Sequence, residues 1–219
     1  MPSSTFIKLP EAKRNKFIKT ALEEFAKYDY ERASVSEIVK KLDIAKGSVY
    51  QYFENKKDLY FYLLELANQK KLEYVRPVLK SPPDNFREFY IKLYEANLNF
   101  DIDNPLWSKL LFNAGNEMFS DDLGNLKHQM KMKSLDFNRG LLERELLWGG
   151  LRNDADLELM TFIVAQITGG IHDYLSIKFN INDEERMNPK KLRAKLPNAE
   201  LKNVLGKMAD LMLSGLKGK

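Results

Sequence analysis

The side chains best suited to binding chemistry lie in one short stretch, residues 46–52, with the sequence KGSVYQY. In a helix about 100° separates successive residues, so Ala45, Val49 and Phe53 share one face and are expected to pack inward. The other side then holds Gly47, Ser48, Tyr50 and Gln51, with Lys46 and Tyr52 on the flanks. An exposed helix of donors without a carboxylate, with a glycine for close backbone approach, suits the major groove of DNA. The alternative is an ordinary surface helix of a small helical domain, although such a helix more often carries mixed Glu and Lys.

The flanking residues predict the elements that hold this stretch in place. Ser34 and Glu37 have the spacing of a capping box, which starts a helix. The apolar positions of that helix follow a 3.6-residue period: Ile38, Val39 and Leu42. Residues 42–44 form a turn, and Asn55 is expected to cap the next helix, with Asp58 favourable in its first turn. The pattern therefore predicts a helix-turn-helix.

Residues 34–59 resemble the N-terminal DNA-binding domain of the tetracycline-repressor (TetR) family of bacterial regulators. The most specific part is AKGSVYQYFENKKDL, whose matching positions are Gly47, Val49, Tyr50, Tyr52, Phe53, Lys56 and Leu59. The similarity extends back through Phe25, Tyr30, Ala33, Ser34 and Ile38. Asp29 and Asp43 stand where the family commonly has glycine. Both are expected at helix ends, at least one with positive φ, which Asp tolerates better than most residues.

The resemblance implies a homodimer that binds a pseudo-palindromic operator in double-stranded DNA, and a repressor that a small-molecule effector releases. The candidates for contact with base edges are Lys46, Ser48, Gln51 and Tyr52, and Gly47 allows close approach. The candidates for phosphate contact are Ser36, Tyr50 and Lys56. Two other functions stay open: a DNA-binding dimer that senses no ligand, and a helical ligand-processing enzyme with a relic DNA-binding head.

The composition argues against several kinds of chemistry. The 219 residues include no cysteine, which excludes disulfides, thiolate catalysis and Cys-based zinc sites. The two histidines, His128 and His172, are too few for a His-based metal site. The sequence has no Gly-rich phosphate loop and no nucleophile elbow. We therefore expect no enzyme activity, no cofactor and no metal.

Charge and hydropathy indicate where such a protein would act. Residues 1–60 contain 12 Lys or Arg and 9 Asp or Glu, so most of the net charge of +4 lies with the DNA-binding segment. The N-terminus lacks the apolar centre of a secretory signal. The longest apolar run, residues 159–171, is too short to span a bilayer. The expectation is a cytoplasmic protein without membrane contact.

Apolar periodicity predicts an all-α fold of about nine helices and no strand. An N-terminal three-helix bundle with the helix-turn-helix would occupy residues 1–58, and a helical effector-binding and dimerisation domain residues 59–219. Residues 1–9 are expected to fray before a first helix begins at Pro10.

Later helix ends are predicted from proline and from capping residues. The fourth helix should run from about Lys56 to Arg76 and end at Pro77. Later helices should begin at the residues with capping chemistry: Asp84, Asn104 with Pro105, Asp121 or Asp122, Asp154 and Asn198. Residues 182–197 are expected to form a loop with at most one helical turn.

The eighth and ninth predicted helices are candidates for a dimer interface. The eighth is apolar around most of its circumference and contains Gly169 and Gly170, which make sense where another backbone comes close. The residues expected at the interface are Ile163, Ile167, Gly170, Ile171, Tyr174, Leu201, Leu205, Met208 and Met212. The alternative is that the eighth helix is the central helix of a monomeric bundle.

The second half of the chain is rich in aromatic residues, most of which must be core. By the resemblance, some would line a pocket for an apolar or amphipathic effector. Trp107, Phe112 and His172 are the candidates. His172 with Asp173 could be a polar pair that faces this cavity or a satisfied pair at an interface.

Overall fold

The computed structural model describes residues 2–82, 85–117, 120–147, 151, 154 and 156–216, and these residues form an all-α fold. The helices are α1 Ser4–Ile7, α2 Glu11–Lys27, α3 Val35–Leu42, α4 Lys46–Tyr52, α5 Lys56–Lys80, α6 Phe86–Asp103, α7 Pro105–Asn116, α8 Leu126–Leu147, α9 Leu157–Gly169, α10 Ile171–Phe179, α11 Asp183–Arg186, α12 Pro189–Lys195 and α13 Asn198–Leu216. Extended pairing in the described ranges is limited to an isolated bridge between Ser120 and Gly124. No described helix has the length and hydropathy to cross a membrane.

The chain divides into two compact units that alternate along the sequence. The first contains Met1–Lys71 and Leu106–Gln129, and the second contains Leu72–Pro105 and Met130–Lys219. This grouping differs from the linear division at residue 58, because residues 106–129 belong with the N-terminal helices. The functional roles assigned to the two parts stay predictions.

The N-terminal residues form a helix where fraying was expected. The side chain of Ser3 accepts a hydrogen bond from the backbone N–H of Phe6 and caps α1. Phe6 is 0% exposed, among the rings of Phe17, Tyr52 and Phe53. Burial of this one aromatic side chain, worth roughly 2–3 kcal/mol, holds a helix that is too short to persist alone.

Asp43 ends α3 in the left-handed conformation, which confirms the prediction for this residue. Its φ is 53°, its N–H donates to the Lys40 carbonyl, and the N–H of Ile44 donates to the Val39 carbonyl. These two bonds form a Schellman motif. Asp29, in contrast, is not among the described residues with positive φ. Its carboxylate instead accepts hydrogen bonds from the N–H and Nε of Arg32.

Several other helix ends differ from the sequence-based expectations. Pro77 lies inside α5, since a proline in the last turn costs few helical hydrogen bonds. Asp84 lies outside the described residues, and Asn85 caps α6. Asn125 takes the capping role expected of Asp121 or Asp122, and Asp156 the role expected of Asp154. Residues 182–197 hold two helices, α11 and α12, because Asn182 and Asn188 each cap one.

The second unit has two hydrophobic clusters along α6 and α13. The first cluster contains Phe86, Tyr90, Leu142, Leu151, Met160, Val164, Ala209, Met212 and Leu213. The second contains Leu98, Ile102, Ile171, Leu175, Leu192, Leu196, Leu201, Val204 and Leu205. Gly206 is buried where α13 faces α6, and a Cβ there would lie 3.2 Å from Nη2 of Arg87. The predicted eighth helix is interrupted at Gly170, which ends α9 and precedes α10.

Candidate nucleic-acid interface

Helices α3 and α4 form the predicted helix-turn-helix. Val49 and Phe53 are buried as expected, whereas Ala45 is exposed because it lies outside the helix as its N-cap residue. Asn55 accepts a hydrogen bond from the N–H of Asp58 and starts α5. The α4 helix is therefore anchored by one buried side and by fixed residues at its C-terminal end.

The opposite side of α4 is open to solvent. Ser36, Lys46, Gly47, Tyr50 and Gln51 are exposed, and Ser48 is half-buried. A Cβ at Gly47 would meet no atom within 4 Å, so packing within the described chain does not require a glycine there. This surface carries side-chain donors and no carboxylate, which suits contacts with base edges and phosphates.

Tyr52 does not belong to the exposed set, contrary to its prediction as a base contact. Its ring lies 5.6 Å from both Phe6 and Phe17 and is half-buried. Tyr52 lies about 100° from Gln51 around the helix, on the side that α1 covers, so its ring is turned toward the core. Tyr52 therefore stabilises α4 through its ring contacts with Phe6 and Phe17.

Lys56 is also bound within the chain, although it was predicted to contact phosphate. Its Nζ donates to the Glu31 carbonyl at 3.2 Å and lies 4.5 Å from the centre of the Tyr30 ring. These two contacts fasten the start of α5 to the turn before α3. Lys56 therefore stabilises the turn that precedes α3.

Glu24 is a buried carboxylate that the sequence analysis did not single out. It is 2% exposed and accepts hydrogen bonds from the N–H of Ser34 and from Nζ of Lys41. Ser34 accepts the Glu37 N–H as predicted, but Glu24 takes the Ser34 N–H that a capping box would have given to Glu37. Glu24 thus ties both ends of α3 to α2. The sequence feature that could have revealed this role is the position of an acidic residue within the apolar stripe of α2.

A segment from the middle of the chain holds the turn before the helix-turn-helix. Nδ2 of Asn113 donates to the carbonyls of Phe25 and Ala26 near the end of α2. The Tyr30 N–H donates to both carboxylate oxygens of Glu117, at 3.1 and 3.3 Å, and the Tyr30 hydroxyl donates to Asp122 at 2.9 Å. Burial raises the pKa of both Glu117 and Tyr30. These bonds explain why residues 106–129 belong to the first unit.

The three candidate effector residues are divided between the two units. Trp107 lies in the first unit with Nζ of Lys70 5.9 Å from its ring, and Phe112, in the same unit, is 54% exposed. His172 lies in the second unit, where Nε2 is 2.9 Å from Oδ2 of Asp101. His172 therefore pairs with Asp101, and Asp173 is exposed.

A small cavity lies elsewhere in the second unit. It has a volume of about 10 Å³, room for one water molecule. It is lined by Phe86, Phe89, Tyr90, Leu93, Tyr94, Asn138, Leu141, Leu142 and Val164. Burial raises the pKa of Tyr94 to about 12 and also raises that of Tyr90, so both hydroxyls are neutral. No lining residue is ionisable apart from these tyrosines, which suits an apolar or uncharged molecule.

The predicted dimer residues fall into two groups. Ile171, Leu201, Leu205 and Met212 are buried in the core of the second unit, and Ile167 and Met208 pack against that core. Gly170 is half-buried at the break between α9 and α10, while Ile163 and Tyr174 are exposed. Together with these two, the exposed apolar side chains of α9, α10 and α13 include four that were not predicted at the interface: Leu159, Phe162, Ile177 and Leu211.

Among the residues that the structure describes, no group of three or more His, Asp or Glu side chains is arranged to hold a metal ion. The site is a helix-turn-helix whose second helix exposes hydrogen-bond donors, the arrangement typical of DNA-binding proteins of the helix-turn-helix class. Residues 17–63 match the family described as bacterial regulatory proteins, tetR family. The whole chain is similar to a TetR family transcriptional regulator from Chloroflexus aurantiacus J-10-FL, with 27% identity, full coverage of both chains and a TM-score of 0.80. Residues 17–63 therefore form a DNA-binding domain of the tetR family, and the chain as a whole is similar in sequence and fold to a TetR family transcriptional regulator.

Two further similarities extend the comparison. The uncharacterized HTH-type transcriptional regulator YuxN of Bacillus subtilis (strain 168) is 25% identical over 126 residues, 58% of this chain and 43% of YuxN. The match therefore spans less than half of that relative. The transcriptional regulator FadR from Bacillus subtilis, solved in complex with stearoyl-CoA, has a TM-score of 0.62 at 18% identity, with 92% of this chain and 98% of FadR covered. At this identity the similarity concerns the fold.

Proposed function

We propose that this regulator is a repressor that binds a pseudo-palindromic operator as a dimer and leaves it when a small molecule binds. The observation that carries the DNA-binding part is the exposed face of α4, which presents donors without a carboxylate. Lys46, Ser48 and Gln51 read base edges in the major groove, and Gly47 lets the backbone come close. Ser36 and Tyr50 contact phosphates, while Tyr52 and Lys56 support the helix-turn-helix from inside.

The exposed apolar residues of α9, α10 and α13 support a dimer of the second unit. Ile177 is 83% exposed and Leu211 is 75% exposed, and Leu159, Phe162, Ile163 and Tyr174 extend the apolar surface. Several large apolar side chains left exposed on a monomer are typical of a protein interface. Two copies related by a two-fold axis would cover it and give each DNA half-site one α4 helix.

The cavity in the second unit is the proposed effector site. It is lined by aromatic and aliphatic side chains, and it must widen to admit any molecule larger than water. Asn138, Leu141 and Leu142 bring α8 to the cavity, and the same helix begins four residues after Asp122. An effector that prefers the widened cavity would shift the populations of the two states, with a coupling of about 1–3 kcal/mol sufficient for a switch.

The test is selection of bound sequences from a random DNA pool by the full chain, followed by affinity measurements on the selected and scrambled duplexes. The proposal expects one enriched palindromic site, bound at least about a thousandfold more tightly than scrambled DNA. Enrichment of no sequence would contradict the DNA-reading role of α4. A screen of uncharged apolar compounds against the selected duplex tests the repressor mechanism, and release by none of them favours a DNA-binding dimer that senses no ligand.

A further inference from the structure

We propose that α1 is a clamp that fixes the orientation of α4, with Ser3 and Phe6 as its positioning residues. The proposal rests on the proposed function in one respect: α4 is the helix that reads DNA. The matched family region begins at residue 17, so the clamp lies outside it.

The first observation is that Ser3 binds the last two carbonyls of α4. The Ser3 N–H donates to the Tyr52 carbonyl at 2.8 Å, and its Oγ–H donates to the Gln51 carbonyl at 2.6 Å. The last carbonyls of a helix have no partner within the helix, so an outside donor satisfies them. The same Oγ accepts the Phe6 N–H, which links the end of α4 to the start of α1 through one hydroxyl.

The need for such a clamp follows from the length of α4. The helix has seven residues, and its N-cap residue, Ala45, makes no side-chain capping hydrogen bond. A helix of this length is not stable alone, and its orientation depends on tertiary contacts. Buried Val49 fixes one side, whereas the C-terminal turn, with Gln51 on its exposed side, is held from α1.

Phe6 provides the second half of the clamp. Its ring lies 4.9 Å from Phe53, 5.6 Å from Tyr52 and 5.8 Å from Tyr62. The Tyr52 ring is thereby kept inward, which leaves the adjacent Gln51 outward. At its other end α1 is fastened to α2, because Arg14 donates from Nη1 to the Ile7 carbonyl at 2.9 Å. The clamp is therefore attached to the body of the unit on both sides.

The experiment compares Ser3→Ala with Ser4→Ala in the full chain. Ser4 is exposed, neighbours Ser3 and has the same side chain, so it is the matched control. Ser3→Ala removes both hydrogen bonds of the hydroxyl, the one to the Gln51 carbonyl and the one from the Phe6 N–H. We expect it to lower the ratio of selected-operator affinity to scrambled-DNA affinity about three- to tenfold. Ser3→Thr, which keeps the hydroxyl, should restore the ratio. An unchanged ratio in Ser3→Ala, or an equal loss in Ser4→Ala, would overturn the clamp.

Amide hydrogen exchange tests the clamp without DNA. Ser3→Ala and Phe6→Leu should accelerate exchange in α4 at least severalfold more than in α2, whereas Ser4→Ala should change neither. Equal acceleration in both helices would mean general destabilisation and would overturn the positioning role. If wild-type protein selects no operator, the proposed function fails, and exchange in α4 still decides the clamp.

Discussion

The backbone N–H of Tyr30 donates to both carboxylate oxygens of Glu117, 87 residues further along the chain. Tyr30 lies in the turn before α3, and Glu117 follows α7. The Glu117 carboxylate is buried, which raises its pKa, and the nearby Asp29 and Glu31 act in the same direction. The bond from Tyr30 and the charge of Lys56 oppose this shift without cancelling it.

This arrangement predicts a pH-dependent stability that Glu117→Gln removes. The pKa of Glu117 is raised in the folded protein. At pH values between the ordinary glutamate pKa and this raised pKa, the folded protein therefore binds more protons than the unfolded chain. The free energy of unfolding that Glu117 contributes therefore falls as pH rises through this interval. Relative to wild type, Glu117→Gln should become progressively more stable over the interval and then level off. Urea unfolding between about pH 4 and pH 8 measures the difference.

The control for this experiment is Asp121→Asn, at an exposed carboxylate of the same segment. Its stability relative to wild type should not follow the same curve. Parallel curves for wild type and Glu117→Gln would show that the buried carboxylate does not titrate differently in the folded protein.

The two aspartates at family glycine positions should respond in opposite directions to substitution by glycine. Asp43 has φ 53°, so Asp43→Gly relieves a left-handed strain and should be neutral or stabilising by up to about 1 kcal/mol. Asp29→Gly removes a carboxylate that accepts the N–H and Nε of Arg32, and should destabilise by about 1 kcal/mol. The stabilities of both variants are measured from their denaturant unfolding midpoints. A loss of stability in Asp43→Gly equal to that in Asp29→Gly would contradict this prediction.

Local patterns in the sequence were sufficient for the helix-turn-helix. The 3.6-residue period predicted the burial of Val49 and Phe53, and the residue types at Asn55 and Asp43 predicted a cap and a left-handed end. Each of these features depends on neighbours within a few residues. The all-α class followed from the same periodicity.

The features that the sequence did not reveal depend on distant partners. α1 exists because Phe6 meets rings up to 56 residues away, and the same contact turns Tyr52 inward. Lys56 is bound to a carbonyl 25 residues earlier. Some residues predicted at the dimer interface lie in the core of the second unit, because both faces of α9, α10 and α13 are apolar. Periodicity alone therefore does not separate buried Leu201 and Leu205 from exposed Leu211.

If the proposed dimer forms through the exposed apolar residues of α9, α10 and α13, Ile177→Glu should separate it, because a charge would have to be buried at the interface. The dimer dissociation constant should rise at least about tenfold, measured by sedimentation velocity over a range of concentrations. Phe112→Glu, an equally polar change at an exposed aromatic residue of the first unit, is the control. A dimer of unchanged affinity in Ile177→Glu would place the interface elsewhere.

Substitutions at Gln51 and Tyr50 should impair DNA binding in different ways, because Gln51 is assigned to a base edge and Tyr50 to a phosphate. Gln51→Ala should relax the preference at one position of each half-site by about 1–3 kcal/mol and leave affinity for scrambled DNA unchanged. Tyr50→Phe should weaken binding to selected and scrambled DNA alike, with no change in preferred sequence. The preferred sequence of each variant is measured by repeating the selection from the random DNA pool. An unaltered preference in Gln51→Ala would mean that α4 is oriented differently in the groove.

The two lysines near the recognition surface should differ in the salt dependence of DNA binding. Lys46 is exposed on α4, so Lys46→Ala should lower the slope of log affinity against log salt by about one unit per bound subunit, since one fewer counterion is released. Lys56 is bound to the Glu31 carbonyl and to the Tyr30 ring, so Lys56→Ala should leave the slope nearly unchanged. Instead it should lower the free energy of unfolding by about 1 kcal/mol, because a hydrogen bond and a cation–π contact are lost. The slopes come from operator affinities at several salt concentrations, and the stabilities from urea unfolding of the same preparations. A full unit of slope lost in Lys56→Ala, with stability unchanged, would return Lys56 to the DNA-contacting residues.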